Sequence, residues 1–304
     1  MRKIILMALM LAATAAMQAK TPVKIPLYDG KVPNSRTTLA KPEKIVMSGS
    51  DTVYKPVAHP TLTICLPDTP NAGRTAILIC PGGGYFQTSY TFEGLRYAEE
   101  LNKHGIAAFV LNYRMPSDAN QPDKKFAPLQ DAQRAIQLVR EHASQYGINP
   151  HHIGIMGFSA GGHLASTAGT HYTKAYIDNP LGTSLRPDFM VLAYPVVSFD
   201  KQYGHVGSCE NLLGKNPSKK WIDFFSNNLQ VTPDTPPTFL AQCTDDRTVS
   251  VMNSVILYEA LHKQNVPAEM HIYVKGDHCF RPTPSLDEWL GRLYGWLDLM
   301  GFSK

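Results

Sequence analysis

Residues 152–163 read His152-Ile153-Gly154-Ile155-Met156-Gly157-Phe158-Ser159-Ala160-Gly161-Gly162-His163. The stretch reads as a short apolar strand that stops, turns sharply and hands over to a helix. A serine on such a turn projects its hydroxyl above the sheet edge, because glycines on both sides leave room for the bend. The adjoining peptide N–H groups and the helix N-terminus lie beside it, ready to stabilise negative charge. That is the geometry of a nucleophile. The same letters also suit a plain glycine-rich turn where a helix packs closely on a sheet, so the rest of the chain must decide.

The chain has 304 residues, 43% of them hydrophobic, enough for one large α/β domain or two smaller ones. A net charge of +4 argues against a nucleic-acid binder that depends on a basic surface. Arg2 and Lys3 followed by the apolar stretch Ile4–Ala16 read as a signal peptide over residues 1–19, with export to the periplasm or medium. The stretch is short for a membrane span, and no other segment is long and apolar enough to be one. The five cysteines, Cys65, Cys80, Cys209, Cys243 and Cys279, leave at least one unpaired. Cys80 and Cys243 lie in apolar runs and read as buried small hydrophobes. No spacing resembles a zinc site.

Working outward, residues 20–50 read as polar and loop-like, within an N-terminal extension over 20–59. Strands are expected over 61–66, 75–80, 106–112, 153–156, 189–194, 238–242 and 270–274. Four of them (75–80, 106–112, 189–194 and 238–242) are near-continuous apolar runs, as in strands covered on both faces. Helices are expected around Tyr97–Leu101 and over 130–146, 251–264 and 286–300. Alternating strands and helices imply a mostly parallel central sheet with helices on both faces. Residues 198–237 are less regular and read as a lid or insertion within a domain spanning 60–304.

Serine chemistry needs a base, an acid to orient it, and fixed N–H donors for an oxyanion. Pro81-Gly82-Gly83-Gly84-Tyr85 follows an apolar strand, and its glycines allow backbone N–H groups to turn towards a ligand. It lacks the Lys-Ser/Thr ending of a phosphate loop. Thr244-Asp245-Asp246-Arg247 follows the strand 238–242, at the strand end where parallel sheets carry their sites. Either acid could instead cap the next helix. Gly276-Asp277-His278 follows the strand 270–274, which distinguishes His278 among eleven histidines. His151 and His152 precede a strand and belong at the opposite edge. The order Ser159, acid, His278 is that of one hydrolase class and not of the common serine-protease folds.

With these residues the sequence resembles the α/β-hydrolase superfamily, and most of all esterases similar to hormone-sensitive lipase and to acetyl-xylan esterases. The matching pieces are Cys80–Tyr85, Leu111–Arg114, Gly157–His163, Tyr194–Val196, Asp245–Val249 and His271–His278. The resemblance implies an α/β-hydrolase fold over roughly residues 60–300. It selects Asp246 as the acid, three residues before Val249, and implies an oxyanion hole from the N–H groups of Gly83, Gly84 and Ala160. Tyr113 and Arg114 look structural in such proteins, bracing the sheet near the oxyanion loop, and Asp131 reads as a fold-bracing acid. Pro81 stands where many lipase relatives have His, which leaves the backbone donors intact. Cys279 stands where Gly is common, which would narrow the pocket.

The reading is therefore a secreted serine esterase with the triad Ser159, Asp246 and His278, needing no metal or organic cofactor. The expected substrate is an O-acetyl group on a plant polysaccharide fragment of xylan type, with Tyr85, Phe86 and Tyr194 as aromatic pocket walls suited to sugar rings. A general carboxylesterase, a feruloyl esterase or a peptidase are alternatives within enzymes. An inactive carbohydrate-binding protein is the alternative outside them.

Overall fold

The computed structural model describes residues 21–36, 43–68 and 74–303, so the expected signal peptide lies outside the described residues. The main sheet has eight strands: β1 Val23–Pro26, β2 Thr61–Cys65, β3 Arg74–Cys80, β4 Ala107–Asn112, β5 Ile148–Phe158, β6 Met190–Ala193, β7 Thr238–Cys243 and β8 Ala268–Tyr273. Their spatial order is β1-β2-β4-β3-β5-β6-β7-β8. The six strands from β4 to β8 in that order run parallel. β2 adds to β4 antiparallel, and β1 to β2 antiparallel.

Coverage explains the composition. Every residue of β3, β4, β6 and β7 is buried, which is why those segments are apolar on both faces. β8 is an edge strand and is only partly covered. Successive residues of β5 point to opposite faces. A Cβ on Gly157 would meet Ala165 of the Ala160–Thr170 helix, while Phe158 packs on Tyr97 and Trp289, from the Arg96–Lys103 and Leu286–Leu299 helices. Helices thus cover both faces, as the alternation of strands and helices implies.

Three segments differ from the sequence reading. Residues 20–50 are not simply loop-like: among those described are β1 and the strand Ile45–Ser48, which joins Asp51–Tyr54 and Thr88–Ser89 in a small antiparallel sheet. These strands have at most four residues, and β1 and Ile45–Ser48 are mostly exposed, so no apolar run announces them. The helix expected over 130–146 is two, Ala127–Glu141 and Ala143–Tyr146, the second ended by left-handed Gly147. Residues 198–237 carry the helices Val206–Leu213 and Lys219–Phe224 and a short turn at Asn227–Leu229.

The N-terminal segment is fastened by a buried ion pair. Arg114 and Asp131 meet at 2.7 Å with both side chains fully enclosed. Asp131 also accepts from the Arg114 backbone N–H and from the Tyr28 hydroxyl, while Arg114 donates to the Pro33 carbonyl and Ser35. Beside it, the Tyr113 hydroxyl donates to the Pro81 carbonyl at 2.7 Å. Both residues of the Tyr113-Arg114 pair therefore brace the sheet. Removing one partner of a buried pair strands the other's charge. Asp131→Ala is expected to lower unfolding free energy by roughly 3–5 kcal/mol, read by chemical denaturation.

Candidate active site

Ser159 stands at the junction of β5 and the Ala160–Thr170 helix with φ 52° and ψ −121°. A non-glycine residue holds that conformation only when its surroundings enforce it. Here they do. The Ser159 N–H donates to the Ala193 carbonyl, and its carbonyl accepts from the N–H groups of His163 and Val196. The turn is so tight that a Cβ on Gly161 would lie 2.1 Å from the Cys80 carbonyl oxygen. Glycine is required there by close approach of the β3 end to the helix start.

The three residues singled out by chain order converge. Ser159 Oγ lies 3.0 Å from His278 Nε2, and His278 Nδ1 lies 2.9 Å from Asp246 Oδ2. Ser159 and Asp246 are buried and the His278 side chain is 15% exposed. Asp246 faces the base and does not cap the next helix, which runs Met252–Lys263 and starts after Val251 with no side-chain cap. Oδ1 accepts from the N–H groups of Thr248 and Val249, and Oδ2 faces His278. With an acceptor-only carboxylate at Nδ1, the neutral imidazole carries its proton there and presents a lone pair at Nε2 to the serine.

Asp245 has a different task. It accepts from the Asp277 N–H at 2.8 Å, while Asp277 accepts from the Arg247 N–H and guanidinium. Those bonds, the backbone one first, hold the Asp277 carboxyl down to about 2. The loops after β7 and β8 are thereby clasped, which aligns Asp246 with His278.

The glycine loop lies against the elbow: a Cβ on Gly82 would be 2.9 Å from Ser159 Cβ. Among the described residues the N–H groups of Gly83, Gly84 and Ala160 meet no protein acceptor, whereas the Gly82 N–H is bound by the Glu93 carboxylate at 2.7 Å. These three backbone donors are uncommitted. The loop is anchored elsewhere by Asn211, which donates to the Gly84 carbonyl. Glu93, Asn211 and Gln242, whose amide donates to Asp246 and to the Val249 carbonyl, are site residues that motif reading missed. One signal for Glu93 was present. Tyr90, Glu93, Gly94 and Tyr97 follow the i, i+3, i+4, i+7 spacing of a buried helical face, an unusual place for a carboxylate.

The expected pocket aromatics part company. Phe86 is 58% exposed and lines a groove of about 520 Å³ with Tyr85, Met115, Ser117, Asp118 and Glu210. Tyr85 turns its hydroxyl inward to His163 Nδ1 at 2.8 Å and is almost wholly buried. Tyr194 is a correction: it is fully buried, edge-on to His278 and Phe280, and presents no face to a ligand. Packing under the base took precedence over a place on the rim. Cys279 faces Glu93 rather than the groove, and all five cysteines are free. No group of His, Cys, Asp and Glu among the described residues could hold a metal ion.

Fold, elbow and loop arrangement together are those of an α/β-hydrolase. The chain belongs to the BD-FAE family, whose model matches residues 62–261. It is 40% identical over 219 residues to an acetylxylan esterase of Xylanibacter ruminicola, covering 71% of this chain and 42% of that protein. It is 36% identical over 207 residues to endo-1,4-beta-xylanase B of Butyrivibrio fibrisolvens, covering 67% of this chain and 32% of that one. The chain thus spans well under half the length of these two curated relatives. A solved structure of an acetyl ester-xyloside bifunctional hydrolase from Caldicellulosiruptor lactoaceticus is 37% identical, with TM-score 0.79 over 93% of this chain and 97% of that chain. The Thermogutta terrifontis esterase Est2, at 23% identity and TM-score 0.67, over 84% of this chain and 96% of that chain, shares the fold.

The anchor of the oxyanion loop has a pH signature. His163 Nε2 donates to the Phe225 carbonyl, so Nδ1 accepts from Tyr85. Burial holds the ring's pKa down to about 3 from 6.5. Between those values the unfolded chain binds a proton that the folded one does not, so stability falls as pH falls through that window. Denaturation midpoints measured from pH 7 to 4 should decline, and His163→Gln should flatten part of that slope.

Proposed function

We propose that the protein is an exported serine esterase that removes acetyl groups from plant polysaccharide fragments of xylan type. The unbroken hydrogen-bond chain from Ser159 through His278 to Asp246, beside three uncommitted N–H donors, carries the catalytic part of this reading. The similarity to an acetylxylan esterase and to an acetyl ester-xyloside hydrolase supports the substrate class. Arg2, Lys3 and Ile4–Ala16 support export. Among the described residues no helix is long and apolar enough to cross a membrane.

The chemistry follows from the geometry. His278 Nε2 takes the Ser159 proton as Oγ attacks the ester carbonyl carbon. The carbonyl oxygen becomes an oxyanion held by the N–H groups of Gly83, Gly84 and Ala160. Asp246 stabilises the imidazolium, which returns its proton to the departing alcohol. Water, deprotonated in turn by His278, then cleaves the acyl-enzyme and releases the acid. The sugar alcohol occupies the groove beside the oxyanion loop, where Phe86 offers an aromatic face and Ser117, Asp118 and Glu210 offer hydrogen-bond partners.

Ser159→Ala and His278→Ala are each expected to remove hydrolysis of a short acyl ester by at least about 10³-fold while the fold persists by circular dichroism. A fluorophosphonate probe should label the wild type at Ser159 only, and retained activity in either purified variant would overturn the triad.

Phe86→Ala separates substrate classes. It should raise KM for acetylated xylo-oligosaccharides several-fold and leave hydrolysis of a small aryl acetate near wild type, as measured by acetate release. Equal effects on both substrates would remove Phe86 from the sugar site.

A further inference from the structure

Glu93 is a deeply buried carboxylate near the site, and the triad mechanism does not use it. It lies in the π-helical turn Tyr90–Leu95 that leads into the Arg96–Lys103 helix, and it is 3% exposed. Oε2 accepts from the Gly82 N–H at 2.7 Å, and Oε1 accepts from the Tyr194 hydroxyl at 3.0 Å. The Tyr194 ring in turn packs edge-on to the His278 ring, with centroids 4.8 Å apart. Glu93 therefore touches the oxyanion loop with one oxygen and reaches the base through one tyrosine with the other.

A buried carboxylate is costly unless its charge is compensated. Among the described residues Glu93 forms no ion pair with Lys or Arg. Burial, the largest influence, pushes the Glu93 pKa up; the bonds from Gly82 and Tyr194 and the nearby His278 favour its charge, and Asp51 from the small sheet opposes it. The other titratable side chains facing it are Tyr97, Tyr113, Tyr194 and Cys279. Burial pushes all four up, so they remain protonated and neutral at working pH. His278, when it holds the serine's proton, is a nearby cation that favours the Glu93 charge.

We propose that Glu93 is a positioning residue for the base and the oxyanion loop: its fixed negative charge favours the His278 imidazolium during proton transfer, and its bond to Gly82 turns the next amides, Gly83 and Gly84, towards the substrate. The proposal rests on the triad reading. The proton moves only from Ser159 Oγ to His278 Nε2 and then to the leaving alcohol; Glu93 neither gains nor loses one. Two carboxylates act on one imidazole, Asp246 by direct contact and Glu93 across a ring in a medium that screens weakly, and His205, whose pKa burial holds down, is the further titratable group facing that imidazole.

Glu93→Gln is nearly isosteric: its carbonyl still accepts from Gly82, while its amide donates to the Tyr194 oxygen in place of accepting from it and no longer accepts from Cys279 Sγ. It removes the charge and keeps the contacts to Gly82 and Tyr194. In kcat/KM against pH for a short acyl ester, the acid limb reports the free enzyme's base. The neutral variant should shift that limb down by about half a pH unit or more, because the imidazolium loses a favourable neighbour. Its plateau should fall roughly tenfold, mainly in kcat. Glu93→Asp, which retains the charge and loses reach, should keep the wild-type limb at a reduced plateau. Glu93→Met is a second neutral variant with no amide to accommodate, and the same shift is expected in it. An unmoved acid limb in a folded neutral variant overturns the proposal, whatever happens to the plateau, and so does failure of both neutral variants to fold. The wild-type acid limb and Ser159 labelling check the triad separately, so a failed triad and a failed role for Glu93 give different results.

Discussion

The site depends on one constrained residue. Ser159 is held at φ 52° between a β5 end that is paired on both sides and a helix that starts one residue later. A conformation of this kind costs roughly 1–3 kcal/mol and persists only where the surroundings overdetermine it. The surroundings here are the sheet itself: the Ala193 carbonyl from β6 on one side and the Cys80–Gly82 backbone from the end of β3 on the other. The hydroxyl is exposed to the base because the backbone has no other way to pass.

Everything else at the site is a loop leaving the same edge of the parallel sheet. Such loops are free to move unless they are tied to one another. The ties are polar and specific. Asp245 and Arg247 clasp Asp277, Tyr113 holds Pro81, His163 holds Tyr85, and Asn211 holds Gly84. Glu93 links two of these loops by binding Gly82 and Tyr194. Most of these ties are short bonds with little solvent around them, and bonds of that kind rigidify a structure when every member is satisfied. Pre-organised donors and a fixed imidazole are what transition-state stabilisation needs, since no reorganisation remains to be done during the reaction.

The covered strands and the turn at Ser159 were legible because each follows from local chemistry. A strand covered on both faces is largely apolar, as the centres of β3, β4 and β7 are, and a sharp strand-to-helix turn needs small residues close by, as Gly157, Ala160 and Gly161 are around Ser159. The choice of Asp246 over Asp245 came from family register and not from local chemistry, because either acid could have capped the next turn. β1 and the small sheet were not legible, since strands of four half-exposed residues carry no periodic signal. Tyr194 was misplaced for a related reason. An aromatic after a strand reads equally well as rim or as floor, and only the arrival of the β8 loop above it makes it floor.

The sequence by itself determined the order and type of the central strands, the turn at Ser159 and the positions from which an acid and a base could reach it. Those features rest on interactions between near neighbours in the chain or on the simple requirement that a covered strand be apolar. Only the tertiary structure decided that Asn211 holds the Gly84 carbonyl, that Tyr194 lies beneath the base, and that a carboxylate at position 93 binds both Gly82 and Tyr194. Those contacts join residues from 11 to more than 100 positions apart, and their partners are ordinary polar side chains with no motif of their own. What selects them is the packing of loops at one sheet edge, where a buried donor must find an acceptor and takes the one that the fold brings within reach.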